Sequence, residues 1–247
     1  MYTSDKESTN DRCIIIKYAD DTVIIGLLND KDNPDDNCYF NEITSFAQWC
    51  KDNYLDLNVK KTKEMIVDFR VKKQPLNPVM IDGKPVDIVH SYKYLGTIID
   101  DKLNGCENAK RIYKKANQRL FFVRKLKKVH VDKSVMSLFY QSIVESVICF
   151  CITSWYGNCT CVDKKKLKRI IRCAQRLGCN VHNLNDLYES ALKNKLERVL
   201  DDETHPLYDE FKLLPSGNRL SSVYCRTNRF KNSFVPAAIR IHNKSKL

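Results

Sequence analysis

The sequence predicts an α+β protein in which antiparallel hairpins and one helix precede an all-α bundle and a basic tail. Apolar β-branched runs alternate with short polar turns in the first hundred residues, whereas apolar positions recur at helical spacing from about residue 104. This change of period distinguishes strands from helices. After Pro206 the sequence is polar and basic, and no fold is predicted there. We therefore expect three regions, 1–102, 103–205 and 206–247.

Charge is high and unevenly distributed along the chain. The 247 residues include 42 Lys and Arg against 30 Asp and Glu, a formal net charge of +12. Residues 1–36 are net acidic, so the basic residues lie downstream. A strongly basic protein favours an anionic partner, most simply nucleic acid.

The N-terminal segment and the apolar runs predict the cellular location. Residues 1–12 are polar and lack the apolar core of a secretory signal. The apolar run 135–155 is interrupted by Gln141, Ser142 and Glu145, so we expect no membrane partner. The protein is expected to be intracellular, either nuclear or cytoplasmic, and not secreted. Its eleven cysteines would then be core residues or free thiols.

Two adjacent aspartates lie at the tip of the first predicted hairpin. Apolar, largely β-branched runs at 13–16 and 22–25 flank Asp20 and Asp21, which is typical of a tight hairpin. Neighbouring carboxylates repel each other unless a cation lies beside them. Mg²⁺ binds one or two carboxylates together with substrate phosphates. The pair therefore predicts a candidate metal site, and the plainer alternative is an ordinary acidic turn.

The other elements of the first region follow in order. Residues 38–54 have apolar side chains at helical spacing, and residues 64–70 alternate as in a strand. Residues 79–86 contain Asp82-Gly83, a strong hairpin signal. Residues 91–100 predict one further strand.

Four amphipathic helices are predicted in the second region, at about 104–128, 133–150, 163–177 and 184–200. The first and third carry long basic runs with almost no acid. Such faces are typical of contacts to a phosphate backbone, although a charged run can also be a solvated surface. The candidate nucleic-acid-binding residues are Lys110, Arg111, Lys114, Lys115, Arg119, Lys125, Lys128, Lys165, Lys168, Arg169 and Arg172.

Three stretches occur in a particular order: 18–21 (Tyr-Ala-Asp-Asp), 57–63 (Leu-Asn-Val-Lys-Lys-Thr-Lys) and 92–97 (Tyr-Lys-Tyr-Leu-Gly-Thr). In this order they resemble the polymerase of non-LTR (LINE-type) retrotransposons. The resemblance implies that 1–102 is the C-terminal half of a reverse transcriptase palm and 103–205 a thumb-like bundle. It implies an RNA-directed DNA polymerase that uses two-metal nucleotidyl transfer. The partners would be an RNA template, a DNA primer or target DNA, and dNTP if a complete site is supplied.

The resemblance also implies roles for individual residues. Asp20 and Asp21 match the acidic pair of the palm and would hold Mg²⁺. Lys61 matches a lysine that would donate a proton to the leaving pyrophosphate. The residues near the primer and the nucleotide would be Tyr18, Leu95 and Gly96.

The resemblance is incomplete at the N-terminal side. A working palm needs a third aspartate on a strand well upstream, and only 19 residues precede Asp20. We therefore expect a truncated chain with little or no polymerase activity by itself. A non-catalytic nucleic-acid-binding remnant is the alternative. Proteins of this type can share a thumb-region segment with the N-terminal part of an AlkB-type dioxygenase homologue, so a protein with that label but without iron chemistry is a lower alternative.

Two further clusters suggest other metals. His130, Asp132 and His182 have the outline of a 2-His-1-carboxylate iron site, but Asp132 is more simply a helix N-cap. The spacing of the downstream cysteines departs from the C-x₂-C pattern of zinc sites. A zinc site would have to come from Cys159, Cys161, Cys173, Cys179 and His182.

Overall fold

The computed structural model describes residues 8, 10–28, 38–72 and 77–246. The chain forms two compact units, which we call the first and the second unit. The first consists of the described residues up to 66 together with 70–90, and the second of 67–69 and the residues from 91 onward. This division falls earlier in the chain than the expected boundary at 102/103, because the hairpin that follows residue 90 packs on the first long helix of the second unit.

A hairpin and one helix form most of the first unit. Strand β1 (Cys13–Tyr18) pairs antiparallel with β2 (Asp21–Gly26). Helix α1 (Cys38–Asp52) packs against both strands. The predicted hairpin and helix are therefore confirmed.

Four two-residue strands complete the first unit: β3 (Lys63–Glu64), β4 (Met80–Ile81), β5 (Lys84–Pro85) and β6 (Asp87–Ile88). β3 pairs parallel with β6, and β4 pairs antiparallel with β5. Asp82 and Gly83 both have positive φ in the β4–β5 turn, so the Asp-Gly hairpin is confirmed.

The strand expected at 64–70 is wrong beyond Glu64. Residues 65–70 have no regular secondary structure, and 67–69 belong to the second unit. There the guanidinium carbon of Arg229 lies 3.5 Å from the ring centroid of Phe69. Phe69 thus contacts another part of the chain rather than forming one face of a sheet with its neighbours.

The second unit begins with a tight hairpin where one strand was expected. β7 (Ser91–Tyr94) pairs antiparallel with β8 (Thr97–Asp100). Leu95 and Gly96 form the two-residue turn, with φ of 43° and 87°. Ile98 N donates a hydrogen bond of 3.1 Å to Asn108 Oδ1 and so ties β8 to the helix that follows.

The four helices predicted in the second region are present, although the one expected at 133–150 is divided, and a short helix at Ile152–Trp155 was not predicted. The helices of this region are α2 (Cys106–Lys128), α3 (Lys133–Tyr140), α4 (Ser146–Cys149), α5 (Ile152–Trp155), α6 (Cys161–Leu177) and α7 (Leu184–Leu200). A π-helical turn at Gln141–Glu145 joins α3 to α4. Asp132 Oδ1 accepts a hydrogen bond of 2.7 Å from Ser134 N, so the predicted N-cap of α3 is confirmed.

A single large core holds these helices together. It consists of apolar side chains from the inner faces of α2 to α6 and the start of α7. Ala116, Leu120 and Val123 of α2 and Ala174 of α6 have no exposed surface. The two basic helices are therefore firmly anchored by their apolar faces.

The segment Lys133–Trp155 is long and apolar enough to cross a membrane by length and composition alone, with a mean hydropathy of 1.8. Gln141, Ser142 and Glu145 interrupt the apolar run, but the mean hydropathy of the segment is still high enough for a membrane span. One of its faces packs in the core at a spacing of four residues, through Met136, Tyr140, Val144, Ile148 and Ile152.

The C-terminal region is folded, although no fold was predicted there. Helices α8 (Asn228–Lys231) and α9 (Phe234–Lys244) follow a short 3₁₀ turn at Tyr208–Glu210. α9 packs on α7. A second core cluster joins them through Leu196, Val199, Phe211, Leu220, Ala238 and Ile239.

Candidate nucleic-acid interface

The acidic pair lies at an exposed turn of the first unit. Ala19, with φ of 51°, and Asp20 form the turn, and Asp21 begins β2 opposite Tyr18. Both carboxylates and the ring of Tyr18 are exposed. The tip therefore has the geometry of a solvated acidic turn.

Among the described residues, the acidic pair lacks the third carboxylate of a two-metal site. Lys61 is exposed in the loop after α1, where its backbone N–H bonds to Asn58. Within the residues that the structure describes, no group of three or more His, Cys, Asp or Glu side chains could hold a metal ion. The Mg²⁺ expected from the resemblance would thus have two carboxylates among the described residues, which do not fit a two-metal centre.

Leu95 and Gly96 lie in the second unit, where they have a structural role. The guanidinium of Arg111 donates a hydrogen bond to the carbonyl oxygen of Gly96. A Cβ atom at Gly96 would lie 3.0 Å from the ring of Phe150, and its positive φ also disfavours other residues. The turn therefore fastens the hairpin to the helices.

Helix α6 presents a basic stripe to solvent. The stripe, which we call the α6 stripe, consists of Lys165, Arg169, Arg172 and Arg176 at successive spacings of four, three and four residues. All four side chains are exposed, and the stripe is about 16 Å long. The acidic residue of this helix, Asp163, is buried beside Thr160, whose Oγ1 caps the helix. The charge of the stripe is thus almost uncompensated on its own helix.

Helix α2 presents a second, longer basic face. The exposed face, which we call the α2 face, runs for about 27 Å. Glu107, at its beginning, forms an ion pair with Lys110, with Nζ and Oε1 2.6 Å apart. The exposed basic residues along the helix are Lys110, Lys114, Lys115, Arg124, Lys125, Lys127 and Lys128.

The two basic helices run parallel, side by side. At their N-terminal ends, Cys159 Sγ lies 3.6 Å from the carbonyl oxygen of Gly105. At their C-terminal ends, Lys127 Nζ donates a 3.2 Å hydrogen bond to the carbonyl oxygen of Arg176. Their apolar faces share one core, so both basic surfaces are held on one rigid support.

Two predicted binding residues instead form internal contacts. Arg111 donates to Gly96, as described above, and Arg119 Nη1 donates a 2.7 Å hydrogen bond to the carbonyl oxygen of Ile143. Both side chains are partly buried. They brace α2 against its neighbours and are poor candidates for phosphate contacts.

Sequence reasoning also missed members of the interface. Arg176 lies four residues after Arg172 and seven after Arg169, so the helical spacing that identified those residues would have identified it too. Arg124 was passed over in the same way, whereas Lys127 is exposed but donates to the carbonyl oxygen of Arg176. Lys168 is only half-buried and lies at the edge of the α6 stripe.

Four of the residues considered for iron or zinc, His182, Asp132, Cys159 and Cys179, serve other contacts. His182 Nδ1 lies 3.0 Å from Glu145 Oε1, which links the α6–α7 loop to the π-helical turn. Burial raises the pKa of Cys159 to about 12 and also raises the pKa of Cys179, and both thiols pack in the large core of the second unit. Hydrogen bonds from Ser134 hold the pKa of Asp132 below its usual range.

Residues 107–146 match the family described as Alkylated DNA repair protein alkB homolog 8, N-terminal. The matched segment covers most of α2, α3 and the π-helical turn, which is a minor part of the chain. The chain matches no curated protein and no solved structure.

This match corrects the expected function. An RNA-directed DNA polymerase is wrong as the function of this chain, because the match points away from a reverse transcriptase. The lower alternative, a segment shared with an AlkB-type homologue, agrees with the match. The polymerase roles expected of Asp20, Asp21, Lys61 and Tyr18 depended on that function.

Proposed function

We propose that the second unit binds nucleic acid through the phosphate backbone, with the α6 stripe and the α2 face as the contact surface. The observation that carries this proposal is the α6 stripe, where four exposed basic side chains follow one helix face and the acidic residue of that helix is buried. Rows of Lys and Arg bind phosphates independently of base sequence.

A second helix in the same unit provides a contrast. α6 and α7 are both 17 residues long. α6 has seven basic residues and one acidic residue, whereas α7 has three of each. A solvated helix surface needs no such excess of one charge, so the imbalance favours a polyanionic ligand.

The family that matches residues 107–146 also supports a nucleic-acid partner. The name of this family refers to a DNA repair protein, and the matched segment contains the whole of the α2 face. The match contributes no catalytic residue to the proposal, which is a binding function without chemistry.

The proposal is tested by removing the α6 stripe. Lys165→Gln/Arg169→Gln/Arg172→Gln/Arg176→Gln should weaken binding to a labelled oligonucleotide at least about tenfold at low salt. The slope of log affinity against log salt should fall in magnitude by about 3, since each lost phosphate contact removes about 0.7 to 0.9. Fluorescence anisotropy across a salt series measures both.

A control variant removes the same charge elsewhere in the second unit. Lys193→Gln/Arg198→Gln/Lys212→Gln/Arg226→Gln changes four exposed basic residues outside α2 and α6. It should leave the salt slope nearly unchanged. If both variants lost the same amount of affinity, binding would depend on net charge alone and not on the α6 stripe. Absence of binding by the unaltered protein would overturn the proposal.

A further inference from the structure

Two exposed aromatic rings lie within the α2 face. Phe121 is 50% exposed and Phe122 is 54% exposed, and their ring centroids are 5.7 Å apart at an interplanar angle of 75°. Phe121 lies on the same helix face as Lys114 and Lys125, seven residues after the first and four before the second. Lys125 Nζ is 5.3 Å from the ring centroid of Phe121. Aromatic surface and positive charge are therefore interleaved at one place.

The core of the second unit does not use these rings. Helix α2 enters the core through Ala109, Ile112, Ala116, Leu120 and Val123. Phe121 and Phe122 lie on the outer side of the helix, where two adjacent large apolar side chains expose surface that a ligand could cover.

We propose that Phe121 and Phe122 stack on the bases of single-stranded nucleic acid whose phosphates are held by the lysines of the α2 face. This inference rests on the proposed function and names the ligand class of the same surface. In a duplex the bases stack on one another inside the helix, whereas a single strand offers base faces to aromatic side chains. A basic track with exposed aromatic rings is the combination that binds single strands without sequence preference.

The surrounding charge favours this ligand over a second copy of the chain. Helix α2 has nine basic residues and one acidic residue. Pairing two such faces would bring like charges together, whereas a single strand supplies both phosphates for the lysines and apolar bases for the rings.

An oligonucleotide without bases separates stacking from charge. We compare a strand of about 16 thymidines with an abasic strand of the same length and charge. The unaltered protein should bind the thymidine strand about tenfold more tightly than the abasic strand. Phe121→Ala/Phe122→Ala should abolish this preference and leave affinity for the abasic strand unchanged.

Two further variants make the comparison specific. Tyr224→Ala removes another aromatic ring, 82% exposed and outside α2, and should keep the preference. Phe121→Leu keeps an apolar side chain but should lose part of the preference, because leucine cannot stack on a base. Circular dichroism should show the same helix content in all variants, since these side chains lie on the surface.

The outcomes distinguish this inference from the proposed function. Equal affinity of the unaltered protein for thymidine and abasic strands would overturn stacking while leaving phosphate binding intact. Absence of binding to either strand would overturn the proposed function itself. If the double alanine variant lost self-association in sedimentation, or lost binding to anionic lipid vesicles, with the base preference unchanged, the rings would have a different ligand and stacking would be overturned.

Discussion

The acidic pair of the first unit and the basic helices of the second unit have very different supports. In the first unit, the acidic pair lies on a two-stranded hairpin whose Ile14, Ile16 and Ile25 remain 57%, 42% and 44% exposed. In the second unit, the basic residues lie on helices whose inner faces are fully buried. More of the hairpin's apolar surface is exposed than of the two helices, and a binding site needs a rigid support. The acidic pair therefore has the weaker support of the two.

The largest effect that we expect is a loss of stability when the buried face of α2 is altered. Leu120→Ala removes a fully buried side chain from the centre of α2 and should lower the free energy of unfolding of the second unit by about 2–5 kcal/mol. Ile14→Ala, on the exposed side of the hairpin, should lower stability by less than about 1 kcal/mol. Urea unfolding followed by ¹⁹F NMR of fluorotryptophan measures both, because Trp49 reports the first unit and Trp155 the second.

Similar losses in the free energy of unfolding of the two variants would contradict the contrast between the hairpin and the basic helices. They would mean that the hairpin is as firmly anchored as α2, and that the acidic turn has as rigid a support as the basic helices.

The next effect concerns a buried carboxyl group in the first unit. Burial raises the pKa of Glu64 above its ordinary value of 4.5, and hydrogen bonds from Val79 N–H and the Tyr39 hydroxyl lower it only in part. The folded state therefore binds the proton more tightly than the unfolded state. As pH rises from 4.5 through the raised pKa, stability of the first unit should fall and then level off.

Glu64→Gln should remove this fall, because the amide oxygen can accept the same hydrogen bonds without a charge to bury. Urea unfolding read at Trp49 from pH 4 to pH 8 measures it, with Trp155 as the internal control in the second unit. A variant with the same pH dependence as the unaltered protein would show that another group is responsible.

How much the sequence predicts differs between local and tertiary features. Helix α6 was predicted because its apolar residues repeat every three or four positions, and the β4–β5 hairpin because Asp-Gly favours positive φ. The β7–β8 turn was missed because Leu95 adopts a positive φ that its side chain disfavours. Its conformation is supported by tertiary contacts of Gly96 with Arg111 and Phe150.

The interface shows the same limit. The spacing of basic residues predicted which helices are charged, because that depends on helix period alone. It did not predict that Arg111 and Arg119 turn inward, since their acceptors are carbonyl groups placed by other elements. The C-terminal fold was missed because Phe211, Leu220 and Ile239 are far apart in sequence and form a core only against α7.

The smallest expected effect concerns the acidic pair itself. Asp20→Asn/Asp21→Asn removes two exposed negative charges from the first unit, while the proposed binding surface lies on α2 and α6 of the second unit. Binding to the thymidine strand should therefore change by less than about twofold, in the direction of tighter binding because long-range repulsion of phosphate is reduced. Anisotropy titrations at low and high salt measure it, and the difference should vanish at high salt because exposed charges are screened. A loss of affinity that persists at high salt would mean that the acidic turn takes part in binding, and the contrast between the two units would then fail.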